Sequence, residues 1–304
     1  MSLLATPTGR PERVYSLVSL VRTFGGRIRS GEAKEWLAPQ YRSADGLSSS
    51  DDERDTKPGE RVQEVFRVAR DLRLLAAEKD DWVGARELPA TRRDFARYVH
   101  AHLCCLPPHD ADAVLLRAYA WCAAYIECHG VAALVEKPAK DLATQIAAAL
   151  GRNSTGEDEK AFNTTKLPAW KDWMAYLGLG WNDLPGAQGF LPDPSRRVED
   201  ELPRLLLPGK RVDARSFVAA IGGAFPYLDG GRLFDEACSK GLPAPPVGQL
   251  SRILSQTMRA LTERGVLRCE MVGDAQKGVG LFSDPLSKLN AFSHLEPGEG
   301  FNHV

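Results

Sequence analysis

The residue types best suited to chemistry are concentrated in one segment, YVHAHLCCLPPHD, and in the stretch that follows it. They are His100, His102, Cys104, Cys105, His109, Cys122, Cys128 and His129. Histidine and cysteine are the side chains that bind tetrahedral zinc. Their spacing is not that of a zinc finger, however, and on a helix the cysteines join Val99 and Leu103 in an apolar stripe, where free thiols are commonly buried. We expect no metal site here, with zinc as the alternative.

The same segment suggests a thiol nucleophile, in which Cys104 or Cys105 pairs with a histidine that Asp110 orients. Such a nucleophile needs a lowered pKa, and burial among apolar residues raises the pKa of a thiol instead. The glycine-rich stretch GDAQKGVG lacks the spacing of a phosphate-binding loop, and no helix follows it. We therefore expect no catalysis and no cofactor.

The whole chain has 304 residues, an apolar content of 43% and a formal net charge of -1. That length suggests two or three domains of ordinary size. The charge argues against a uniformly basic coat for nucleic acid but leaves room for local basic faces. No apolar run is long enough to cross a membrane, and we find no secretion signal. The six cysteines then indicate free thiols in a reducing compartment, so we expect a cytoplasmic protein.

The clearest structural pattern lies between residues 249 and 282. Apolar residues recur there at helical spacing, namely Leu250, Ile253, Leu254, Met258 and Leu261. Gly265 stands where a left-handed residue would end that helix. The pattern then predicts a strand at 266–271, a turn at 273–277 and a returning strand at 278–282. Two short helices are predicted upstream, one capped by Asp213 and one that ends at Gly241.

The segment from residue 212 to residue 283 therefore resembles the winged helix-turn-helix superfamily. Similar patterns recur at 10–88, where Gly25-Gly26 ends a first helix, Ser30 caps a second, and a hairpin follows a third. The order recurs less clearly at 95–195, with an acidic loop at 156–159, and an amphipathic connecting helix is predicted at 198–207. We predict a mainly α fold with small β-hairpins, built of tandem winged-helix-like domains. The predicted domains are 1–90 with an acidic insertion at 43–59, a central helical or winged-helix-like domain at 91–209, and 210–304.

The third helices of such domains are the candidate DNA-reading elements, because the recognition helix of a helix-turn-helix protein enters the major groove. On the last one, the predicted outward residues are Arg252, Ser255, Gln256 and Arg259, followed by Lys277 in the turn. The corresponding residues of the first unit are Arg61, Gln63, Arg67 and Arg70, and the basic N-terminal segment adds Arg13, Arg27 and Arg29. Arginine and glutamine pair bidentately with guanine and adenine, and a basic patch suits phosphates. The alternative interpretation is a solvated charged face.

A tryptophan-bearing helix and the motif LGLGW that follows it give a second resemblance. Trp170 and Trp173 are predicted core residues, whereas Trp181 is either core or an exposed residue that stacks on a base or a partner. With the MSLL…PTG start and the stretch 259–267, this order of segments is similar to DpdG-type proteins. Those are accessory proteins of bacterial gene clusters that insert 7-deazapurines into DNA and restrict foreign DNA. The resemblance implies a non-enzymatic component and carries over no catalytic residue.

The main hypothesis from the sequence is a non-catalytic component of a bacterial DNA-modification or phage-defence system that binds double-stranded DNA. Other proteins of the same system are its expected partners, and no membrane is involved. The alternative is a protein-protein adaptor that uses its winged-helix domains within a defence complex without contacting DNA.

Overall fold

The structure is a computed structural model that describes residues 3–4, 9–37, 58–151, 162–182, 190–273 and 278–301, with the backbone alone for 58–61. The loop predicted at 156–159 and nearly all of the insertion predicted at 43–59 lie outside these residues. The chain divides into two compact units, Met1–His102 and Leu103–Val304. Both are mainly helical with small antiparallel sheets, which confirms the predicted mainly α fold with small β-hairpins. The division into three domains stays a prediction.

The described residues of the first unit form four helices, the last of which extends two residues into the second unit, and one three-stranded sheet. Its elements are α1 (Pro11–Thr23), β1 (Arg27–Arg29), α2 (Ser30–Leu37), α3 (Pro58–Asp71), β2 (Leu75–Glu78), β3 (Asp81–Gly84) and α4 (Arg92–Cys104). The sheet is antiparallel in the order β1-β3-β2, with Trp82 opposite Ile28 on one side and Ala77 on the other. The predicted hairpin after the third helix is thereby confirmed, and a third strand joins it.

A local sequence signal accounts for the end of α1. Gly25 and Gly26 have φ angles of 73° and 90°, a left-handed conformation that favours glycine and ends α1.

Phe66 of α3 stacks on Trp82 of β3, with ring centroids 4.3 Å apart and planes inclined by 13°. That contact, with the buried apolar face of α1, fixes α3 against the sheet and leaves its opposite face free of the core.

The second unit is larger and contains three small sheets among its described residues. After a short 3-10 helix at Ala111–Ala113, its elements are α5 (Val114–Val135), α6 (Ala139–Leu150), α7 (Leu167–Tyr176), β4 (Gly180–Trp181), β5 (Leu191–Pro192), α8 (Ser195–Leu205), β6 (Val212–Asp213), α9 (Ala214–Ala224), α10 (Arg232–Ser239), α11 (Arg252–Glu263), β7 (Leu267–Glu270), β8 (Val279–Gly280), β9 (Ala291–Phe292) and β10 (His294–Pro297). The sheets are β6-β10-β7, β4-β5 and β8-β9.

Helix α5 forms the centre of the second unit and packs against α6, α10, α11 and β5. By length and composition it is the one helix in the described part of the chain that is apolar enough to cross a membrane, although the sequence pattern suggested none. Half of its most apolar window is buried inside the structure, and Gly130 interrupts it with φ 81° and ψ 166°. Its apolar composition is thus largely that of a core helix.

The strand pairing near the C-terminus differs from the prediction. The strand β7 pairs with β10, in a register that sets Leu295 opposite Cys269, and the segment near 280 pairs with β9 instead. The predicted hairpin of 266–271 with 278–282 is therefore wrong. Leu267 and Leu295 are buried in one sheet and Val279 in the other, so both pairings bury apolar residues, and the hydrophobicity of the adjacent segment does not decide its partner.

The two units share one order of elements. In the first unit the order is α1-β1-α2-α3-β2-β3, and in the second it is α8-β6-α9-α11-β7-β10, with α10 and the β8-β9 pair inserted. Both sheets place the last strand between the other two. The helix predicted as a connection at 198–207 is thus the first helix of the second set, and it contains Pro203. Between 95 and 195 the described residues form helices and the β4-β5 pair.

Candidate nucleic-acid interface

Helix α3 of the first unit has one buried face and one polar face. The apolar residues of the helix, Val62, Val65, Phe66, Ala69 and Leu72 among them, lie in the core or just beyond its end. Gln63 and Arg70 are exposed and Arg67 is half-exposed. Spacings of four and three residues place these three side chains on one stripe of the helix. The side chain of Arg61 lies outside the described residues.

Acidic neighbours contact this stripe but leave much of it available to solvent. Arg67 forms an ion pair with Glu64 at 3.1 Å, and Arg70 lies 3.8 Å from Asp71. The side chain of Arg70 is 57% exposed. The pair of Arg67 with Glu64 is partly buried, whereas Arg70 is the more exposed of the two arginines. An exposed ion pair contributes little stability, so a phosphate can replace the carboxylate beside Arg70 at small cost.

The other basic residues predicted in the first unit differ in their surroundings. Arg27 and Arg29 flank the buried Ile28 on the edge strand β1. Arg27 forms ion pairs with Glu78 and Asp81 of the hairpin. In contrast, Arg29 and Arg13 are exposed and have no partner among the described residues. Among the described side chains of the patch predicted on the first unit, these two arginines are therefore the ones that no carboxylate neutralises.

Helix α11 of the second unit is buried on more than one side, because α5, α8 and β7 all pack against it. Ser255 is fully buried, donates a hydrogen bond to the carbonyl of Leu250 at 3.3 Å and accepts one from the amide of Phe282 at 2.8 Å. Arg259 is 3% exposed and donates to the carbonyls of Phe282 (2.6 Å) and Leu289 (3.1 Å). The prediction that Ser255 and Arg259 face outwards is therefore wrong.

The start of α11 is held by two carboxylates. The amide and the hydroxyl of Ser251 both donate to Asp229, at 2.6 and 2.5 Å, and the amide of Arg252 donates to Glu127 at 2.7 Å. The hydroxyl of Ser251 also accepts a hydrogen bond from the amide of Leu254. These contacts satisfy amide groups that no residue of the helix can reach. Burial raises the pKa of Asp229.

Arg252 and Gln256, the remaining predicted residues of α11, line a cavity of about 290 Å³ in the second unit. The guanidinium of Arg252 lies 3.7 Å from the ring centroid of Phe282, and its Nε donates to the carbonyl of Glu127 at 3.3 Å. Gln256 is exposed. Asp193 lies on another wall of the cavity. Lys277 lies outside the described residues.

The chain matches the model of one family, DpdG-like, over residues 1–275. The chain belongs to the DpdG-like family. Neither the curated proteins nor the solved structures contain a match. Membership indicates a component of a DNA 7-deazapurine modification system. The family therefore supports the resemblance that the LGLGW motif and the order of segments suggested.

The histidine and cysteine segment of this DpdG-like protein is only partly buried. Cys105 and Cys128 are exposed, contrary to the predicted buried stripe, and so are His109 and His129. His100 and Cys122 are buried, and burial raises the pKa of Cys104 to about 12. Within the described ranges, no three histidine, cysteine or acidic side chains are grouped so that they could hold a metal ion. A thiol with so high a pKa carries almost no thiolate near neutral pH, which opposes nucleophilic chemistry at Cys104.

Trp181 lies at the end of the LGLGW motif in the strand β4. It is 59% exposed, and its indole N–H donates to Asp193 at 3.0 Å. The sequence indicated that Trp181 could be exposed, but it gave no sign of Asp193 or of the cavity. The cavity is formed by α5, the segment 191–194 and α11, which are far apart in the chain, so no local pattern indicates it.

Proposed function

We propose that this DpdG-like protein is an accessory, non-catalytic component of a bacterial DNA-modification and phage-defence system, and that its first unit binds double-stranded DNA. We place it in the cytoplasm, with DNA and other proteins of the system as partners. The observation that carries the proposal is the contrast between the two third helices. The polar stripe of α3 is exposed, whereas α11 is packed on several sides.

The topology of the first unit supports this assignment. A helix, a strand, two helices and a hairpin, with the last strand in the middle of the sheet, is the order of a winged helix, and α3 is its third helix. The third helix of such domains enters the major groove. Gln63, Arg67 and Arg70 are of the types that contact base edges and phosphates. We therefore interpret residues 11–84 as a winged helix and α3 as its recognition helix.

The test is fluorescence anisotropy of the full-length protein with a labelled random-sequence duplex, titrated between about 50 and about 200 mM salt. The double variant R67Q/R70Q removes two charges from α3. Each lost phosphate contact lowers the slope of log affinity against log salt by about 0.9, so the variant should lose affinity and lower the slope by about two.

The matched control is R264Q/R268Q, which removes two exposed arginines from the second unit, one after α11 and one on β7. Both are engaged in ion pairs, with Glu199 and with Glu270 and Glu296. The control should bind DNA as the unaltered protein does. Equal losses in both double variants would mean that only net charge matters and would refute a role for α3.

A second candidate function, an adaptor, is favoured by an aromatic pair on the first unit. Phe24 is 39% exposed and Trp36 62% exposed, and their rings meet edge to face with centroids 6.4 Å apart. Exposed aromatic side chains are enriched where proteins bind one another. Trp36→Ala should then reduce co-purification with other proteins of the system. Trp181→Ala, which removes another exposed tryptophan, should not.

A further inference from the structure

We propose that the cavity beside α11 binds a guanine-type base, a role distinct from duplex binding by the first unit. The cavity has a volume of about 290 Å³, which is at the lower end of the range for small-molecule sites. A single bicyclic base fits such a space, whereas a base pair or a helix does not. The cavity lies wholly within the second unit, so its geometry does not depend on the first.

The walls of the cavity combine apolar surfaces with a few polar groups. Val131, Pro192 and Ile253 contribute apolar surface, and Arg252, Gln256 and Asp193 contribute the polar groups. Small-molecule sites have this composition, in which apolar walls hold a ligand and sparse polar groups orient it. An aromatic heterocycle offers apolar faces together with a polar edge, so it matches both parts.

The polar side chains of the cavity have hydrogen-bond donors and acceptors that no described residue uses. The terminal amino groups of Arg252 and the amide of Gln256 have no hydrogen-bond partner in the described part of the chain. Asp193 accepts one hydrogen bond at each oxygen, from the indole N–H of Trp181 and from the amide of Ser195, each at 3.0 Å. Because a carboxylate oxygen accepts more than one hydrogen bond, Asp193 can also accept from a ligand.

The unused hydrogen-bond donors and acceptors of these three side chains favour one type of base. Arg252 and Gln256 lie four residues apart on α11, on one face of the helix, and offer donors. A guanine base has two acceptors, O6 and N7, on the edge that arginine recognises bidentately. It also has N1–H and 2-amino donors, from which the carboxylate of Asp193 can accept hydrogen bonds. Adenine lacks the carbonyl acceptor, and cytosine presents a single ring with less apolar surface.

Two of the three polar groups are held in place before any ligand arrives. The guanidinium of Arg252 lies on the ring of Phe282 and is tied to Glu127, and the carboxylate of Asp193 is fixed by two N–H donors. Such preorganisation lowers the entropic cost of binding. Gln256 makes no internal contact of this kind and can be changed without disturbing the fold.

The experiment is isothermal titration calorimetry of the full-length protein with guanosine, inosine, adenosine and cytidine at up to about 1 mM, a concentration that detects a binding free energy of about -4 kcal/mol. Guanosine should bind most tightly. Inosine, which lacks the 2-amino group, should bind several-fold more weakly. Gln256→Leu should weaken guanosine binding about tenfold, the effect of one lost hydrogen bond. Gln145→Leu, which changes an exposed glutamine of α6, should have no effect.

The absence of a heat of binding for guanosine, equal affinity for cytidine, or an unchanged affinity in Gln256→Leu would each overturn the proposal. A duplex with one unpaired guanine, compared with one carrying an unpaired cytosine, distinguishes a base displaced from DNA from a free nucleoside. Preference for the unpaired guanine indicates the former source, and guanosine binding without that preference indicates the latter. The variant R67Q/R70Q should keep guanosine binding, so the two proposals fail independently.

Discussion

The substitution Arg259→Met distinguishes a packed α11 from a DNA-reading α11. Arg259 is almost completely buried and donates to two backbone carbonyls, those of Phe282 and Leu289. Methionine keeps much of the side-chain volume but leaves both carbonyls without a donor. A fully buried polar group left unpaired costs about 1–3 kcal/mol. Because these two hydrogen bonds are partly buried, the substitution should lower the free energy of unfolding of the second unit by about 2 kcal/mol.

Urea unfolding followed by far-UV circular dichroism measures this loss, with Arg264→Met as the control. Arg264 is exposed and pairs with Glu199 at 2.8 Å, so its loss should cost less than about 1 kcal/mol. Under conditions where both variants are folded, Arg259→Met should bind the random-sequence duplex normally. If Arg259→Met were as stable as Arg264→Met and instead bound DNA more weakly, the burial of α11 would be refuted.

Three further predictions concern buried groups. Burial raises the pKa of Asp229 in the folded state. The folded state therefore binds this proton more tightly than the unfolded state does, which stabilises the fold fully below the ordinary aspartate pKa of about 3.9. That stabilisation is lost as the pH rises through the raised pKa. The unaltered protein should therefore lose stability relative to Asp229→Asn between about pH 4 and about pH 7, as measured by urea unfolding at both values. A constant difference would contradict a raised pKa. Iodoacetamide at neutral pH should label the exposed Cys105 well before Cys104, whose pKa is about 12, as peptide mass spectrometry can show; equal rates would mean that Cys104 is accessible as a thiolate. Finally, Phe66→Ala removes the ring that stacks on Trp82 and should destabilise the first unit by about 3–5 kcal/mol, with loss of duplex binding but not of the fold of the second unit. A shift of the whole unfolding curve would show that the two units do not unfold independently.

Signals that act within a few residues could be predicted from the sequence. Asp213 caps α9 by accepting hydrogen bonds from the amides of Arg215 and Ser216. Gly265 takes a φ of 70° after α11, and the hairpin of β2 and β3 forms where a polar turn separates two apolar stretches. Each of these features depends on neighbours in the chain, so the local pattern contains the necessary information.

Features that depend on distant residues were missed. The outward assignment of Ser255 and Arg259 rests on a single buried stripe on α11, whereas the segment from Leu281 to Phe292 also covers the helix. The amide of Phe282 donates a hydrogen bond to Ser255, and the carbonyls of Phe282 and Leu289 accept hydrogen bonds from Arg259. In the same way β10, near the end of the chain, displaces the adjacent segment as the partner of β7. Packing against distant segments decides whether a second face of a helix is buried and which strands pair. The hydrophobic periodicity of a single helix contains no information about those segments.

The most direct test of the account compares two exposed glutamines on the third helices, Gln63 on α3 and Gln256 on α11. A photoreactive p-benzoylphenylalanine introduced at either position forms a covalent bond with DNA that lies against it. With a fully paired, labelled duplex, irradiation should yield a protein-DNA adduct from position 63 and none from position 256. An adduct from position 256 without one from position 63 would contradict the assignment of DNA binding to the first unit.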